Sequence, residues 1–338
     1  MHRFVTNKQA SSRIRTTLGA AWPPLLVAIG CAALARVVPL LSPLLTSLIV
    51  GAVVANTRLV RLGALGQAGP IAKTLLRVGI VLVGFRLSLE ALAGVGGRGA
   101  VVIIVTVVLV FLATCWVGDR LGLDRGLVTL IASGFAICGA AAIAAVEGAI
   151  RRRDEDVALS IAMVTLFGSA MIIIVPLAGA GLALSPEQIG VWAGASIHEV
   201  AQVVAAASIT GGAAVAVATT IKLGRVLLLG IVYSAARFRD GAPGGLDQVA
   251  QRKVRLVPWF VIGFVLAMLL RSSGLLPATA LGAIDALANV SLAAGMFGLG
   301  LGVRFAQLYP LPWRVVGLSA VSTAVAASAS LGLVVLLF

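Results

Sequence analysis

Residues 194–207, GASIHEVAQVVAAA, place several polar side chains inside an otherwise apolar stretch. His198 directly precedes a carboxylate, Glu199, and lies four residues before an amide, Gln202. On a continuous helix His198 and Gln202 would share one face, with Glu199 about 100° away. A histidine changes charge near neutral pH, and a desolvated carboxyl group can do the same. The pattern predicts proton coupling by His198 and Glu199 beside a binding contact from Gln202, although the two ionisable groups could also satisfy each other in a core.

Cations within apolar segments form the second set of candidate residues. Lys222 and Arg225 are three positions apart on one predicted helix, and Arg77 lies on a similar leucine-rich helix earlier in the chain. An unpaired charge is costly inside a bilayer, so these cations indicate an anionic substrate. Alternatively, the arginines extend to a membrane surface or pair with Glu199 or Asp285. Asp285 is a further candidate for coupling, or else a cap for its own helix.

Two segments rich in glycine, alanine and serine offer backbone groups for binding, at residues 133–146 and 289–303. Glycine costs a helix about 1 kcal/mol relative to alanine, so these glycines favour interrupted helices over plain anchors. Interrupted helices present backbone N–H groups to an anion. Tight packing of small residues is the alternative interpretation. We expect the anion to contact backbone amides around five residues: Cys138, Gly139, Ala140, Ala294 and Gly295.

The overall composition predicts an all-α polytopic membrane protein. Apolar residues make up 60% of the chain, charged residues 11%, and the mean hydropathy is +1.10. The apolar runs are continuous and about 20 residues long, the length of a spanning helix rather than of barrel strands. The net charge of +14 comes from basic residues at the ends of these runs, which argues against a nucleic-acid partner. The three cysteines lack the spacing of metal ligands, so neither a metal nor a cofactor is expected.

The apolar runs predict about eleven transmembrane helices within a single domain, residues 22–338. Residues 1–21 form a basic tail, and residues 22–41 an additional helix. Similar segments recur five spans apart, an odd number that would invert one copy relative to the other. Residues 42–180 and 187–338 are therefore predicted to be two inverted five-helix repeats. The distribution of lysine and arginine favours a cytoplasmic N-terminus and an external C-terminus.

Three segments resemble the YeiH-type bacterial inner-membrane proteins, commonly described as candidate sulfate exporters: GFAICGAAAIAA (134–145), SIHEVAQVVAA (196–206) and KLGRVLLL (222–229). The resemblance covers most of the chain from about Trp22 onward. It implies a fold similar to that of bile-acid symporters and sodium–proton antiporters, with inverted repeats and crossing, broken helices. The acidic pair expected on the broken helix of a sodium–proton antiporter is replaced by Cys138 and Gly139, which argues against simple sodium–proton exchange.

These features together predict a secondary transporter, not an enzyme, in the bacterial inner membrane. Its substrate would be a small oxyanion, with sulfate or a sulfonate suggested by the family resemblance. Lys222 or Arg225 would balance the substrate charge, and H⁺ or Na⁺ would be the coupling ion. The expected partners are this solute and the lipid bilayer, and a homodimer is left open. The rival interpretations are a sodium-coupled transporter of another organic anion, a channel, and a membrane-embedded enzyme that uses His198 and Glu199 as general base and acid.

Overall fold

The structure is a computed structural model that describes residues 22–34, 43–58, 65, 68–239, 259–301 and 312–338. All regular elements in these ranges are helical. In the first half of the chain they are α1 (Trp22–Leu34), α2 (Pro43–Ala55), α3 (Ala68–Val83), α4 (Leu89–Gly94), α5 (Gly96–Arg120), α6 (Arg125–Ala136) and α7 (Ala140–Val146). The second half contains α8 (Asp154–Gly181), α9 (Pro186–Ser196), α10 (Val200–Thr210), α11 (Gly212–Leu227), α12 (Leu229–Arg239), α13 (Trp259–Ser272), α14 (Ala278–Gly300) and α15 (Trp313–Leu337).

Several helices are long and apolar enough to cross a bilayer. Within the described ranges, α5, α8, α14 and α15 meet this condition, and the pair α11–α12, bent by 42°, would be a fifth. The other apolar helices, such as α1 and α13, are shorter than the roughly 20 residues that a full crossing requires. An all-α membrane protein is therefore confirmed, whereas the total of eleven crossings stays a prediction.

Large apolar side chains cover the outward surface of the longest helices. On α5, Leu112 and Trp116 are more than half exposed, and on α8 the same holds for Ile173 and Leu177. Water would disfavour so continuous an apolar surface, whereas lipid chains solvate it without cost. The exposed residues of these helices therefore agree with a lipid environment.

Two compact units divide the chain, and the first contains residues 1–79 and 283–305. Within it, α14 packs closely on α3, because a methyl group on Gly295 would lie 2.5 Å from the Cβ atom of Leu76. Glycine at this position thus permits close helix packing. The helix runs unbroken from Ala278 to Gly300. The predicted interruption at Ala294 and Gly295 is therefore wrong: both residues lie inside a regular helix, where backbone N–H groups bond within the helix itself.

The second unit contains residues 80–282 and 306–338. Polar contacts connect α15 to two other helices of this unit. The Thr114 hydroxyl donates to Oγ of Ser322 over 2.8 Å, and Nε1 of Trp192 donates to the carbonyl oxygen of Ala327 over 2.9 Å. Both contacts connect residues more than 100 positions apart in the sequence. They hold α15 against α5 and against α9, next to the candidate site.

The domain boundaries predicted from the sequence stay predictions. The basic tail, residues 1–21, lies outside the described residues, as do positions 35–41 of the additional helix. The inverted repeats at 42–180 and 187–338 are not established by the helices themselves. The two helix breaks that the structure does contain follow Ala136 and Ser196.

Candidate functional site

The first interrupted helix is formed by α6 and α7. Asp124 begins α6 by accepting hydrogen bonds from the backbone N–H groups of Gly126 and Leu127. The helix ends at Ala136, and α7 begins after Gly139, which adopts φ 73° and ψ −132°. An L side chain rarely adopts such a positive φ, so glycine allows the chain to turn here. The interruption predicted at Cys138 and Gly139 is therefore present.

The second interrupted helix is formed by α9 and α10, and its break was not predicted. The helix α9 ends at Ser196, Ile197 is extended, and α10 begins after Glu199. Gln202 caps the start of α10, because its side-chain oxygen accepts from the backbone N–H of Glu199 over 3.2 Å. The prediction that His198 and Gln202 share a helical face is therefore wrong, because His198 precedes the helix.

The two breaks lie 60 positions apart, and each contains an isoleucine. Residues 136–140 read AICGA and residues 196–200 read SIHEV, which aligns Ile137 with Ile197. The carbonyl oxygens of these two residues accept hydrogen bonds from the same side chain. The Nζ atom of Lys222 donates to the carbonyl oxygen of Ile137 over 2.8 Å and to that of Ile197 over 2.6 Å. One ammonium group therefore bridges both interruptions.

Arg225 binds the same two helix ends. Its Nη2 atom donates to the carbonyl oxygen of Phe135 over 2.8 Å, and its Nη1 atom donates to that of Ala195 over 2.5 Å. Its Nε atom donates to the carbonyl oxygen of Ala136 over 3.0 Å. The last carbonyls of a helix lack helical partners and carry partial negative charge. Lys222 and Arg225, both fully buried, therefore compensate the C-terminal ends of α6 and α9.

The His198 side chain is fully buried beside the ring of Phe135, with 4.4 Å between the ring centres. Its Nε2 atom lies 3.2 Å from Oγ1 of Thr323, and that hydroxyl donates to the carbonyl oxygen of Ser319 over 2.9 Å. Since the hydroxyl hydrogen is used, Nε2 is the donor in the contact with Thr323. The neutral ring then has its lone pair on Nδ1, for which the structure shows no hydrogen-bond partner among the described residues.

The Glu199 carboxyl group is buried over the start of α7. The backbone amide of Ala140 bonds this carboxylate, and a methyl group on Gly139 would lie 2.7 Å from Cγ of Glu199. In the described part of the chain, Oε1 of Glu199 has no hydrogen-bond partner. The Gln202 amide anchors the same region to α8 by donating to the carbonyl oxygen of Thr165 over 3.2 Å. Glu199 therefore contacts the backbone amide of Ala140, one of the amides predicted to bind an oxyanion.

Comparison with known proteins identifies the family. A family model described as Conserved hypothetical protein 698 matches residues 24–319. The chain belongs to this family. A UPF0324 membrane protein of Corynebacterium glutamicum is 40% identical over 269 residues, covering 79% of this chain and 77% of the relative. UPF0324 membrane proteins of Agrobacterium fabrum and Pseudomonas putida are 39% and 36% identical, over 78% and 79% of this chain and 76% and 77% of those proteins. No solved structure matches the chain.

Eight of the predicted site residues lie around the two breaks in the second unit: Cys138, Gly139, Ala140, His198, Glu199, Gln202, Lys222 and Arg225. The others belong to the first unit. There, Arg77 is half-buried on α3, and Asp285 accepts from Nδ2 of Asn289 over 3.3 Å. Asp285 lies within α14, so the alternative that it caps this helix is wrong.

Sequence reasoning missed three groups at the site. Two are the carbonyl oxygens of Ile137 and Ile197, for which the sequence has no pattern beyond one isoleucine in each break. The third is the Thr323 hydroxyl, 125 positions from His198. No local pattern connects Thr323 to the histidine, because their contact depends on how α15 packs.

Proposed function

We propose that this protein is a secondary transporter of the bacterial inner membrane that moves a small anion together with protons. The observation that carries this proposal is the convergence of two interrupted helices on Lys222. Irregular backbone is costly at membrane depth unless protein or a water-filled cavity surrounds it. A protein that served only as an anchor would gain nothing from two such breaks, whereas transporters use them to bind solutes.

The charges around the breaks favour an anion. Lys222 and Arg225 bring two formal positive charges, and Glu199 brings one negative charge when ionised. The cluster formed by these three side chains therefore has a formal excess of one positive charge. Buried charges are stable only when compensated, so a bound anion would complete the balance. Because both cations already donate to carbonyl oxygens, we assign them a long-range role rather than direct contact with the substrate.

Two buried atoms are suited to receive a proton. Nδ1 of His198 has an available lone pair, since Nε2 donates to Thr323. Oε1 of Glu199 is likewise buried without a described partner. A buried polar atom without a partner is costly, so its presence indicates that another species occupies it for part of the working cycle. We assign that species as a proton or the transported solute.

Proton binding and anion binding are coupled because an ionised Glu199 and an oxyanion would compete for the same backbone amide at the start of α7. An ionised Glu199 faces the amide of Ala140, where an oxyanion would also seek N–H donors. Two like charges at this position repel each other, and protonation of Glu199 removes the repulsion. Proton and anion would therefore bind together, near Cys138, Gly139 and Gln202. The resemblance to YeiH-type proteins suggests sulfate or a sulfonate as the substrate.

Transport by the purified protein in proteoliposomes tests the proposal. Radiolabelled sulfate, sulfite, thiosulfate and an alkyl sulfonate would each be supplied under an imposed pH gradient, with protein-free vesicles as the control. We expect a gradient-driven flux of at least one anion, and a weaker dependence of that flux on pH in His198→Ala. Absence of flux for all the anions, unchanged pH dependence in His198→Ala, electrical conductance without proton coupling, or chemical conversion of the solute would contradict the proposal.

Ligand binding can be tested without knowing the direction of transport. A ligand that binds only the folded protein stabilises it by RT ln(1 + [L]/Kd), so its presence raises the unfolding temperature. We expect a saturable rise with the transported anion and no rise with the matched chloride salt. The same screen identifies the substrate class before any flux is measured.

A further inference from the structure

We propose that Lys222 provides the cation that the two interrupted helices require, so that this protein works without sodium. Removal of the Lys222 ammonium group then creates a sodium site. This inference deepens the proposed function by identifying the residue that determines which ion couples transport. It concerns the contacts of one side chain with two carbonyl oxygens, and it can be tested by binding as well as by transport.

The position of the ammonium group resembles that of a bound metal cation. Nζ of Lys222 lies 2.8 Å and 2.6 Å from the carbonyl oxygens of Ile137 and Ile197, which belong to two separate unwound segments. Unwound carbonyls and the C-terminal ends of half-helices are the groups that bind sodium in transporters with broken helices. In this protein a covalently attached cation already bonds these two oxygens.

The chemistry of lysine suits this replacement. An ammonium group is a compact point charge with three donors, closer in size and charge to an alkali ion than the planar guanidinium of arginine. Arg225 binds other carbonyls of the same helix ends, at Phe135, Ala136 and Ala195. The carbonyls of Ile137 and Ile197 therefore depend chiefly on Lys222, and Arg225 contacts only that of Ile197, over 3.5 Å.

Removal of the ammonium group leaves the two interrupted helices without the cation that they share. In Lys222→Ala, two buried carbonyl oxygens lose their charged donor, and the side-chain volume becomes free for a small ion and water. A buried acceptor that loses its partner carries the full cost of desolvation, so a cation that restores the contact is favoured. In Lys222→Met the same charge is lost, but an apolar chain of similar length fills the space and excludes the ion.

Thermal unfolding of the three purified proteins tests the inference, with sodium chloride compared against choline chloride at equal ionic strength. We expect the wild-type unfolding temperature to be the same in both salts. Lys222→Ala should unfold at a lower temperature in choline chloride and recover part of the loss in sodium chloride, saturably with concentration. Lys222→Met should be destabilised equally in both salts.

The outcomes separate this inference from the proposed function. A sodium-dependent gain in the wild type, or none in Lys222→Ala, would overturn it. If Lys222→Ala does not fold in either salt, Lys222→Ser is tested in the same way, and its failure to fold in sodium chloride would also overturn the inference. In proteoliposomes the wild type should transport equally with sodium or choline outside, whereas Lys222→Ala should require sodium. Absence of transport by every protein would contradict the proposed function, while the unfolding result would still decide the role of Lys222.

Discussion

The Nε2 atom of His198 lies 3.2 Å from Oγ1 of Thr323, and this contact determines which ring nitrogen is available to a proton. The Thr323 hydroxyl donates to the carbonyl oxygen of Ser319, so it accepts from the histidine. The ring therefore keeps the contact with α15 through Nε2 whether or not Nδ1 is protonated. A residue of α15 thus positions the side chain to which we assign proton binding.

Replacing Thr323 by valine removes the acceptor while preserving the shape of the side chain. The buried N–H of His198 then lacks a partner, which we expect to lower the free energy of unfolding by about 1–3 kcal/mol. The ring is also free to exchange its tautomer, so the pH profile of transport should shift. Chemical denaturation in detergent and flux measured against pH check the two effects.

Thr323→Ser is the matched control, because serine keeps the hydroxyl. It should retain the wild-type pH profile, with a small loss of stability from the missing methyl group. Equal pH profiles for wild type, Thr323→Val and Thr323→Ser would show that the Thr323 contact has no part in coupling.

Glu199→Gln should weaken the dependence of anion transport on pH. In the wild type, protonation removes the negative charge that faces Ala140, so flux should increase as the pH on the substrate side falls. Glutamine resembles the protonated carboxyl group and cannot titrate. Initial rates of anion uptake across a series of pH values measure the difference, and a variant that follows the wild-type profile would exclude Glu199 as the coupling group.

Glu199→Ala separates this electrostatic role from the contact with α7. Glutamine keeps an oxygen that can accept from the backbone N–H of Ala140, whereas alanine loses it. A buried donor that loses its partner costs about 1–3 kcal/mol, so only the alanine variant should be clearly destabilised. Equal stability of the two variants would contradict the stabilising role of this contact.

The sequence was sufficient to predict an all-α membrane protein but not which helices contact one another. Continuous apolar runs indicated the helices, and the glycine at position 139 indicated the first break. The second break was missed because a helical period fits His198 and Gln202 equally well.

The roles of Lys222 and Arg225 could not be deduced from spacing alone. Their separation of three residues indicated a shared helical face, but not that this face lies against the ends of two other helices. Such contacts connect α11 to residues up to 90 positions away, through packing that no local pattern encodes. The glycines of α14 led to the wrong prediction of an interrupted helix for a related reason. Close packing on α3 and an interrupted helix both favour glycine.

Gly139→Ala should be more destabilising than the same change at another glycine with a positive φ. Gly139 adopts φ 73°, and a methyl group there would lie 2.7 Å from Cγ of Glu199. Gly122 adopts φ 67° with no atom within 4 Å of the added methyl group, which makes Gly122→Ala the matched control. In both variants, backbone strain should lower the free energy of unfolding by about 1–3 kcal/mol. Only in Gly139→Ala should overpacking lower it by about 1–3 kcal/mol more. Gly139→Ala should also lose transport activity.

The comparison is made by denaturation of both variants under one condition, followed by flux at a temperature where each is folded. Equal losses of stability would show that Glu199 moves aside without cost. Retained transport in Gly139→Ala would exclude the first break from the substrate path.

Gly295→Ala tests whether the glycines of α14 serve packing or substrate binding. The added methyl group would lie 2.5 Å from Cβ of Leu76 on α3, so we expect a loss of about 1–3 kcal/mol in the free energy of unfolding. Gly282, on the same helix, has no atom within 4 Å of an added methyl group. Gly282→Ala should therefore leave the free energy of unfolding unchanged or raise it by up to about 1 kcal/mol, because alanine has the better helix propensity.

Transport by correctly folded Gly295→Ala should keep the wild-type affinity for the anion, since its backbone amide lies within a continuous helix. Loss of affinity with unchanged stability would instead restore this segment as part of the binding site.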